Sequence, residues 1–240
     1  HGARMRRQGV PVLYGFSRHV VPPPRDWPPS VHVTGWWTLD APAGYAPPDS
    51  LARFLAAGPP PVYVGFGSMT PHDAQALTRT VLEAVERAGA RVVLLRGWGG
   101  LGDAGGGGLP AWAHVVDDVP HAWLFPRMAA VVHHGGAGTT GASLRSGAPT
   151  VVVPLFADQP FWGERVRALG VGPAPIMRPE LTAPRLAAAL GQALNDTAMR
   201  ERAARLGALL RAEDGVAAAV AVVERLARGD GSSARQPSVA

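Results

Sequence analysis

Neither lysine nor cysteine occurs among the 240 residues. Without lysine there is no Walker A lysine and no amine for a pyridoxal Schiff base. Without cysteine, a disulfide frame, a thiol nucleophile and a thiolate metal site are excluded, and a reducing, cytoplasmic setting fits. No apolar run approaches the ~18 residues of a membrane span, so stable membrane insertion is not expected. Charge is also sparse, with 17% of residues ionisable as Asp, Glu, Lys or Arg. The formal net charge of +5 comes from arginines scattered among acids, as with Arg205 and Arg211 near Glu201 and Glu213. A nucleic-acid footprint needs clustering on one face. No such cluster is visible, so solvated helix faces are expected and a nucleic-acid partner is not.

Hydrophobic residues make up 47% of the chain, enough for a sizeable core. The length suits one large domain, or one domain with a connecting piece. The chain opens on His1, and the stretch to Gln8 has no apolar core of a signal peptide. A piece of a longer protein is therefore expected.

Residues 11–15 read as a short strand, followed at 20–30 by VVPPPRDWPPS. Proline at that density fixes φ and removes donors, which makes an extended connector. VHVTGWW at 31–37 reads as a strand, and Asp49 or Ser50 can cap a short helix to Ala57. A boundary near residue 50 is expected, with 1–50 as an arriving strand and linker, 51–228 as the main domain and 229–240 as a disordered tail.

From Pro61 strands and helices alternate. VYVGFG (62–67) is a buried strand, Thr70 to Asp73 a helix start, and RVVLLRG (91–97) the next strand. A glycine-rich loop covers 97–110, HVVDDVP (114–120) is a strand and its exit, and a short helix fits 120–128. Helices are also expected over FWGERVRAL, from the Thr182 cap to about Leu194, and over about 197–212 and 216–228, with a last short strand at Val171–Ile176. That alternation predicts an α/β fold, a Rossmann-like parallel sheet with helices on both faces.

The centre of the chain is 129–159, AAVVHHGGAGTTGASLRSGAPTVVVPLFADQ. It reads as strand, glycine turn, helix, strand, a βαβ unit. Glycines admit close backbone approach, and a helix start offers unpaired N–H groups at a positive dipole end, so the turn is an anion site suited to phosphate. His133 and His134 are neighbours and point to opposite faces of the strand, so one is expected buried while His134 donates to a phosphate oxygen. Gly67-Ser68 forms a second glycine-plus-hydroxyl turn at the same sheet edge. Asp158-Gln159, past the next strand, can read ligand hydroxyls or cap a helix. The irregularly spaced tryptophans suit packing rather than a stacking platform.

Gly136 to Gly141 also spells a literal GxGxxG, with Asp158 near the place of a ribose acid. An NAD-type oxidoreductase site is therefore an alternative. Against it, this βαβ comes after two earlier βα units, and a pyrophosphate on backbone amides needs no His134. A zinc site is not expected, because no cysteine exists and no carboxylate stands at ligand spacing.

HHGGAGTT (133–140) with VPLFADQPFWGERV (153–166) resembles the family 1 nucleotide-diphosphate-sugar glycosyltransferases. The resemblance is to the bacterial branch that glycosylates antibiotic aglycones and to the sterol glucosyltransferases. VYVGFGSM, VPHAWLFPRM and VLYGFSRHVVPPPRDWP carry it through the chain. It implies the C-terminal, donor-binding half of a GT-B fold, preceded by the interdomain linker. His134, Gly136, Gly138 and Thr139 would then contact a diphosphate, Gly67 and Ser68 would close over it, Val119 would meet the base through its backbone, and Asp158 and Gln159 would hold sugar hydroxyls. The donor implied is a UDP- or dTDP-sugar, with no cofactor and no metal. The acceptor implied is a small natural-product aglycone, sterol or lipid. The plant members' base-stacking Trp is absent here, where Val116-Asp117-Asp118 stands, and their motif Asn and Glu are replaced by Gly138 and Ala142. Transfer with inversion is implied, with His134 stabilising the leaving group and the general base on the other half.

Overall fold

The computed structural model describes residues 10–67, 74–97, 100–103 and 108–228. The expected helix start at Thr70–Asp73 and the tail 229–240 lie outside the described residues. The chain divides into two compact units, Leu39–Ala208 and His1–Thr38 with Leu209–Ala240.

The larger unit holds five parallel strands: β3 (Val62–Gly65), β4 (Val92–Leu95), β5 (Ala113–Val116), β6 (Ala130–His133) and β7 (Thr150–Val152). Their order across the sheet is β5-β4-β3-β6-β7. The chain steps outward from β3 to β5, then crosses back to lay β6 on the other side of β3. The carboxyl ends of β3 and β6 therefore flank the point where strand order reverses, the place where open α/β sheets form a crevice.

Strand residues alternate faces, and two apolar layers result. Val62, Val64, Val92, Leu94, Ala130 and Val132 pack with Leu77, Val81 and Val85 of helix Ala74–Arg87 and with Leu186 and Leu190 of helix Ala183–Asn195. Tyr63, Val93 and Val131 face the other way, onto Leu51 of helix Asp49–Ala56, Leu124 of helix His121–Leu124 and Phe125. Helices thus cover both faces, as expected. The near-continuous burial of the strands is what a sheet covered on both sides requires.

Several elements differ in detail. Pro48, not Asp49 or Ser50, precedes the first helix, and no side chain caps it. Thr182 does cap its helix, accepting from the N–H of Arg185. Val171–Ile176 forms no strand. Thr150 donates to the Val171 carbonyl and Ile176 to the Val152 carbonyl, but Pro173 and Pro175 between them have no N–H to continue a ladder. On exposed helix faces Arg87 pairs with Glu83, Arg167 with Glu164 and Arg205 with Glu201, one turn apart. These are solvated ion pairs of the expected kind.

In the smaller unit β1 (Val12–Tyr14) and β2 (Val31–Val33) pair in parallel. β2 is shorter than the run to Trp37 predicts, because the chain turns at Gly35 with φ +97°. The helix Gly215–Ala227 is capped by Asp214, which accepts from the Ala217 N–H at 2.9 Å. Buried Ser17 donates its hydroxyl to Glu213 at 2.8 Å.

Candidate functional site

β6 ends on His133, and His134 follows it, with the two rings at 79° to each other. His133 is fully buried and His134 half-buried, as opposite strand faces require. Gly136 then serves as N-cap of α4 (Ala137–Ser146), with φ −61° and ψ 142° and no side-chain cap. The first helical bond runs from the Thr140 N–H to the Gly136 carbonyl at 2.8 Å, and the Thr140 hydroxyl donates to the same oxygen. The amides of Ala137, Gly138 and Thr139 precede that bond and so have no intrahelical acceptor. They point out of the sheet edge with the positive end of the helix dipole behind them. A Cβ added at Gly138 would meet nothing within 4 Å, so a ligand can come up against the backbone there.

Gly67 and Gly136 bracket His134. A Cβ on Gly67 would lie 3.2 Å from Cε1 of the imidazole, and one on Gly136 would lie 2.6 Å from Nε2. Gly67 has φ +65°, a left-handed backbone that favours glycine. The turn after β4 comes in behind it: a Cβ on Gly97 would stand 2.5 Å from the Gly67 carbonyl oxygen. Ser68, the hydroxyl partner expected beside Gly67, lies outside the described residues.

The loop after β7 reaches the same place. A Cβ on Gly135 would lie 3.0 Å from the Gln159 carbonyl oxygen. Burial lowers the pKa of His134, and the Asp158 carboxylate partly offsets that. Asp158 holds the N-cap position of the helix Gln159–Ala168, but its side chain caps no amide; its Oδ2 accepts from the indole N–H of Trp162 at 2.7 Å. Gln159 is buried, and its Oε1 accepts from the amides of Leu155 at 2.8 Å and Phe156 at 3.2 Å. Both partners are N–H donors, so the oxygen must face them and the NH2 takes no part in these bonds. The sequence expectation of an amide both donating and accepting is thus narrowed to a donor.

Val119 is buried, and neither its N–H nor its carbonyl bonds another group among the described residues. It leads into His121, whose ring stacks on Phe125 at 4.3 Å and whose pKa is lowered, mainly by burial. His133 is pushed down to about 3 by burial, with the neighbouring His134 and His121 adding to the effect. Gly67, His134, Gly136, Asp158 and Gln159 are therefore brought together, and Gly138 and Thr139 follow in the first turn of the helix.

Sequence reasoning passed over two contributors. Ala157 has φ 56°, the one non-glycine in left-handed conformation among the described residues. It turns the chain just before Asp158, and nothing in an alanine signals that. Gly135, with φ +89°, is legible only as part of the glycine run. A groove of about 510 Å3 lies elsewhere, at the amino edge of the sheet, lined by residues including Pro59, Arg91, Met128, Pro149 and Arg200. It holds none of the expected site residues. Among the described residues no group of three or more His, Asp or Glu could hold a metal, and no helix is long and apolar enough to cross a membrane.

Residues 79–225, more than half of the chain, match the family described as erythromycin biosynthesis protein CIII-like, C-terminal domain. The chain belongs to that family. Sterol 3-beta-glucosyltransferase UGT80A2 of Arabidopsis thaliana is 44% identical over 219 residues, covering 91% of this chain and 34% of that protein. Among solved structures, the glycosyltransferase of kitacinnamycin aligns at 26% identity with a TM-score of 0.70, covering 90% of this chain and 54% of that one. The glycosyltransferase VinC, solved in complex with dTDP, aligns at 27% identity with a TM-score of 0.58, over 73% of this chain and 44% of that one. The chain thus spans about a third to about a half of the length of these proteins. Its homologues are glycosyltransferases, the likeness confirms the Rossmann-like fold of a GT-B C-terminal half, and the NAD-type alternative has no support among them. The expected bacterial antibiotic branch is not singled out, since plant and fungal sterol glucosyltransferases match at 42–45% identity.

Proposed function

We propose that this chain is the donor-binding half of an inverting glycosyltransferase that takes a UDP- or dTDP-sugar. The observation that carries the reading is the open amide cluster of Ala137–Thr139 beside the glycine-bracketed imidazole of His134, at the switch point of the sheet. In this reading His134 and the amides of Gly138 and Thr139 bind the diphosphate, with Gly136 admitting it. Gly67 and Ser68 close over it. The unengaged backbone of Val119 meets the base edge, and Asp158 with the NH2 of Gln159 holds sugar hydroxyls. As the glycosidic bond breaks, the departing diphosphate gains negative charge. A fixed helix terminus and a proton donor at His134 stabilise that charge without reorganising. No metal or cofactor has a part in this scheme.

The acceptor in this reading is a hydroxyl of a sterol, lipid or natural-product aglycone. The relatives' names support it, and so do Phe156 and Phe161, which are exposed on the segment that carries Asp158. The general base and most of the acceptor contacts belong to an N-terminal half. Residues 1–50 are assigned to the end of that half and the linker, and 51–228 to the donor domain. The enzyme is placed in the cytoplasm, consistent with its lack of cysteine. The chain alone is expected to bind donor without transferring sugar. Calorimetric titration with UDP, dTDP and NAD tests the proposal, with His134→Ala as control. Diphosphate binding that weakens in the variant supports it and selects the base; NAD binding without either diphosphate rejects it.

A further inference from the structure

His133, the fully buried end of β6, is not among the residues that would touch a ligand, yet it shapes the turn that does. Its Nδ1 accepts the Gly135 N–H at 2.9 Å. A neutral imidazole accepts on one nitrogen only, so this bond places the ring proton on Nε2. The bonded residues are two apart, and the residue between them is His134. Gly135, held at φ +89°, directs the chain straight into the N-cap Gly136. The latch therefore fixes two things together: the side of the sheet on which the His134 imidazole stands, and the direction of the amides of Ala137 to Thr139. No side chain fits at Gly135, because a Cβ there would meet Val152 Cγ1 at 2.7 Å.

Packing alone does not account for a histidine at this position. It lies on the face that carries Tyr63, Val131 and Phe125, where an apolar side chain would fill the space. The imidazole instead brings a buried Nε2 that has no hydrogen-bond partner among the described residues. A buried unpaired donor is a cost that an apolar residue would not incur. What the histidine supplies in return is the Nδ1 acceptor for Gly135.

We propose that His133 is a positioning residue for the donor diphosphate, acting through its Nδ1 latch on the Gly135 amide and not by contact with the ligand. This rests on the donor-site reading above. Three variants separate its parts. In His133→Asn the side-chain oxygen can stand near the Nδ1 position. In His133→Gln the amide reaches the Nε2 position instead, and His133→Leu keeps bulk alone. Affinity for UDP and dTDP is measured by calorimetry, with thermal unfolding alongside, and 15N spectra report the His133 ring and the Gly135 amide. The expected results are an Nε2–H tautomer in the wild type, affinity within about threefold in His133→Asn, and loss of about tenfold or more in His133→Gln and His133→Leu. Should His133→Leu fail to fold, the Asn and Gln pair carries the comparison. A wild type that binds while His133→Gln equals His133→Asn overturns this inference alone, as does an Nδ1–H tautomer. A wild type that binds neither diphosphate overturns the donor-site reading and this role with it.

Discussion

The imidazole of His134 stands where a side chain on Gly136 would have to be, 2.6 Å from the Cβ such a residue would carry. The backbone there, at φ −61° and ψ 142°, suits any residue, so the glycine answers to its neighbour and not to a strained turn. Gly136→Ala is expected to keep the fold at a cost of roughly 1 kcal/mol, since alanine is a much poorer N-cap than glycine. It should displace the ring and weaken diphosphate binding about tenfold. Calorimetry together with a thermal melt checks this; unchanged affinity would mean that the ring position does not matter.

Gly138→Ala should separate stability from binding more sharply. The new Cβ meets nothing in the protein and sits in the first turn of α4. Replacing a helical glycine by alanine stabilises by roughly 0.5–1 kcal/mol. In the proposed site, however, that methyl enters the space of the diphosphate. A higher melting temperature with weaker UDP or dTDP binding is expected. A gain in stability with no change in affinity would move the diphosphate away from this amide.

The fold was readable because its pattern is regular. Apolar runs such as Val62–Val64 and Val131–Val132, spaced by helices and closed by glycines, allow little but a parallel sheet covered on both faces. The glycine turn leading into a helix, with one buried and one half-buried histidine before it, was readable from residue type alone. What stayed hidden depends on conformations that residue type does not signal. Ala157 adopts a left-handed backbone that alanine seldom takes. Asp158 stands at the N-cap as the sequence suggests, yet its carboxylate accepts from the indole N–H of Trp162, one helical turn on, and caps no amide. The Val171–Ile176 run has strand-like residues at its ends, but its prolines remove the donors a ladder needs. The latch from His133 to Gly135 joins residues two apart, and no periodicity reports it.

Acid should weaken the fold through His133. Its folded-state pKa is about 3, mainly because burial disfavours the charged ring, while an unfolded histidine titrates near 6.5. Between those values the unfolded chain binds more protons, so stability rises with pH. The contribution is complete above about pH 6.5 and is lost progressively as pH falls toward 3. At roughly 1.4 kcal/mol per unit of difference, it is on the order of several kcal/mol. Denaturant unfolding of the wild type and His133→Asn at steps from neutral pH to about pH 4 should show a flatter dependence in the variant. Parallel curves would place the acid sensitivity elsewhere.

Diphosphate binding should draw a proton onto His134. Burial lowers the pKa of the free site, so the ring is mostly neutral near pH 7. A bound diphosphate places negative charge beside it and raises that pKa. Titrations in buffers of differing ionisation enthalpy should then show uptake of a fraction of a proton. Affinity should increase from about pH 8 toward pH 6, and His134→Ala should abolish both effects. Binding with no proton uptake in the wild type would mean that the ring does not face the phosphates.

In the proposed site Gln159 would join loop structure to sugar recognition, and two substitutions pull those roles apart. Its oxygen holds the amides of Leu155 and Phe156, while its NH2 is the group left for a ligand. Gln159→Leu strands two amides and should cost about 1–3 kcal/mol, with diphosphate and nucleotide sugar both bound less well as the loop loosens. Gln159→Glu keeps an acceptor for those amides and removes the donor. A carboxylate there also repels phosphate, so the informative quantity is the ratio of Kd for UDP-glucose, or the matching dTDP-sugar, to Kd for the diphosphate alone. Repulsion from the shared diphosphate largely cancels in that ratio. Loss of one hydrogen bond to the sugar should raise the ratio about fivefold to tenfold. A ratio equal to that of the wild type would leave Gln159 as a loop brace and assign the sugar hydroxyls to Asp158.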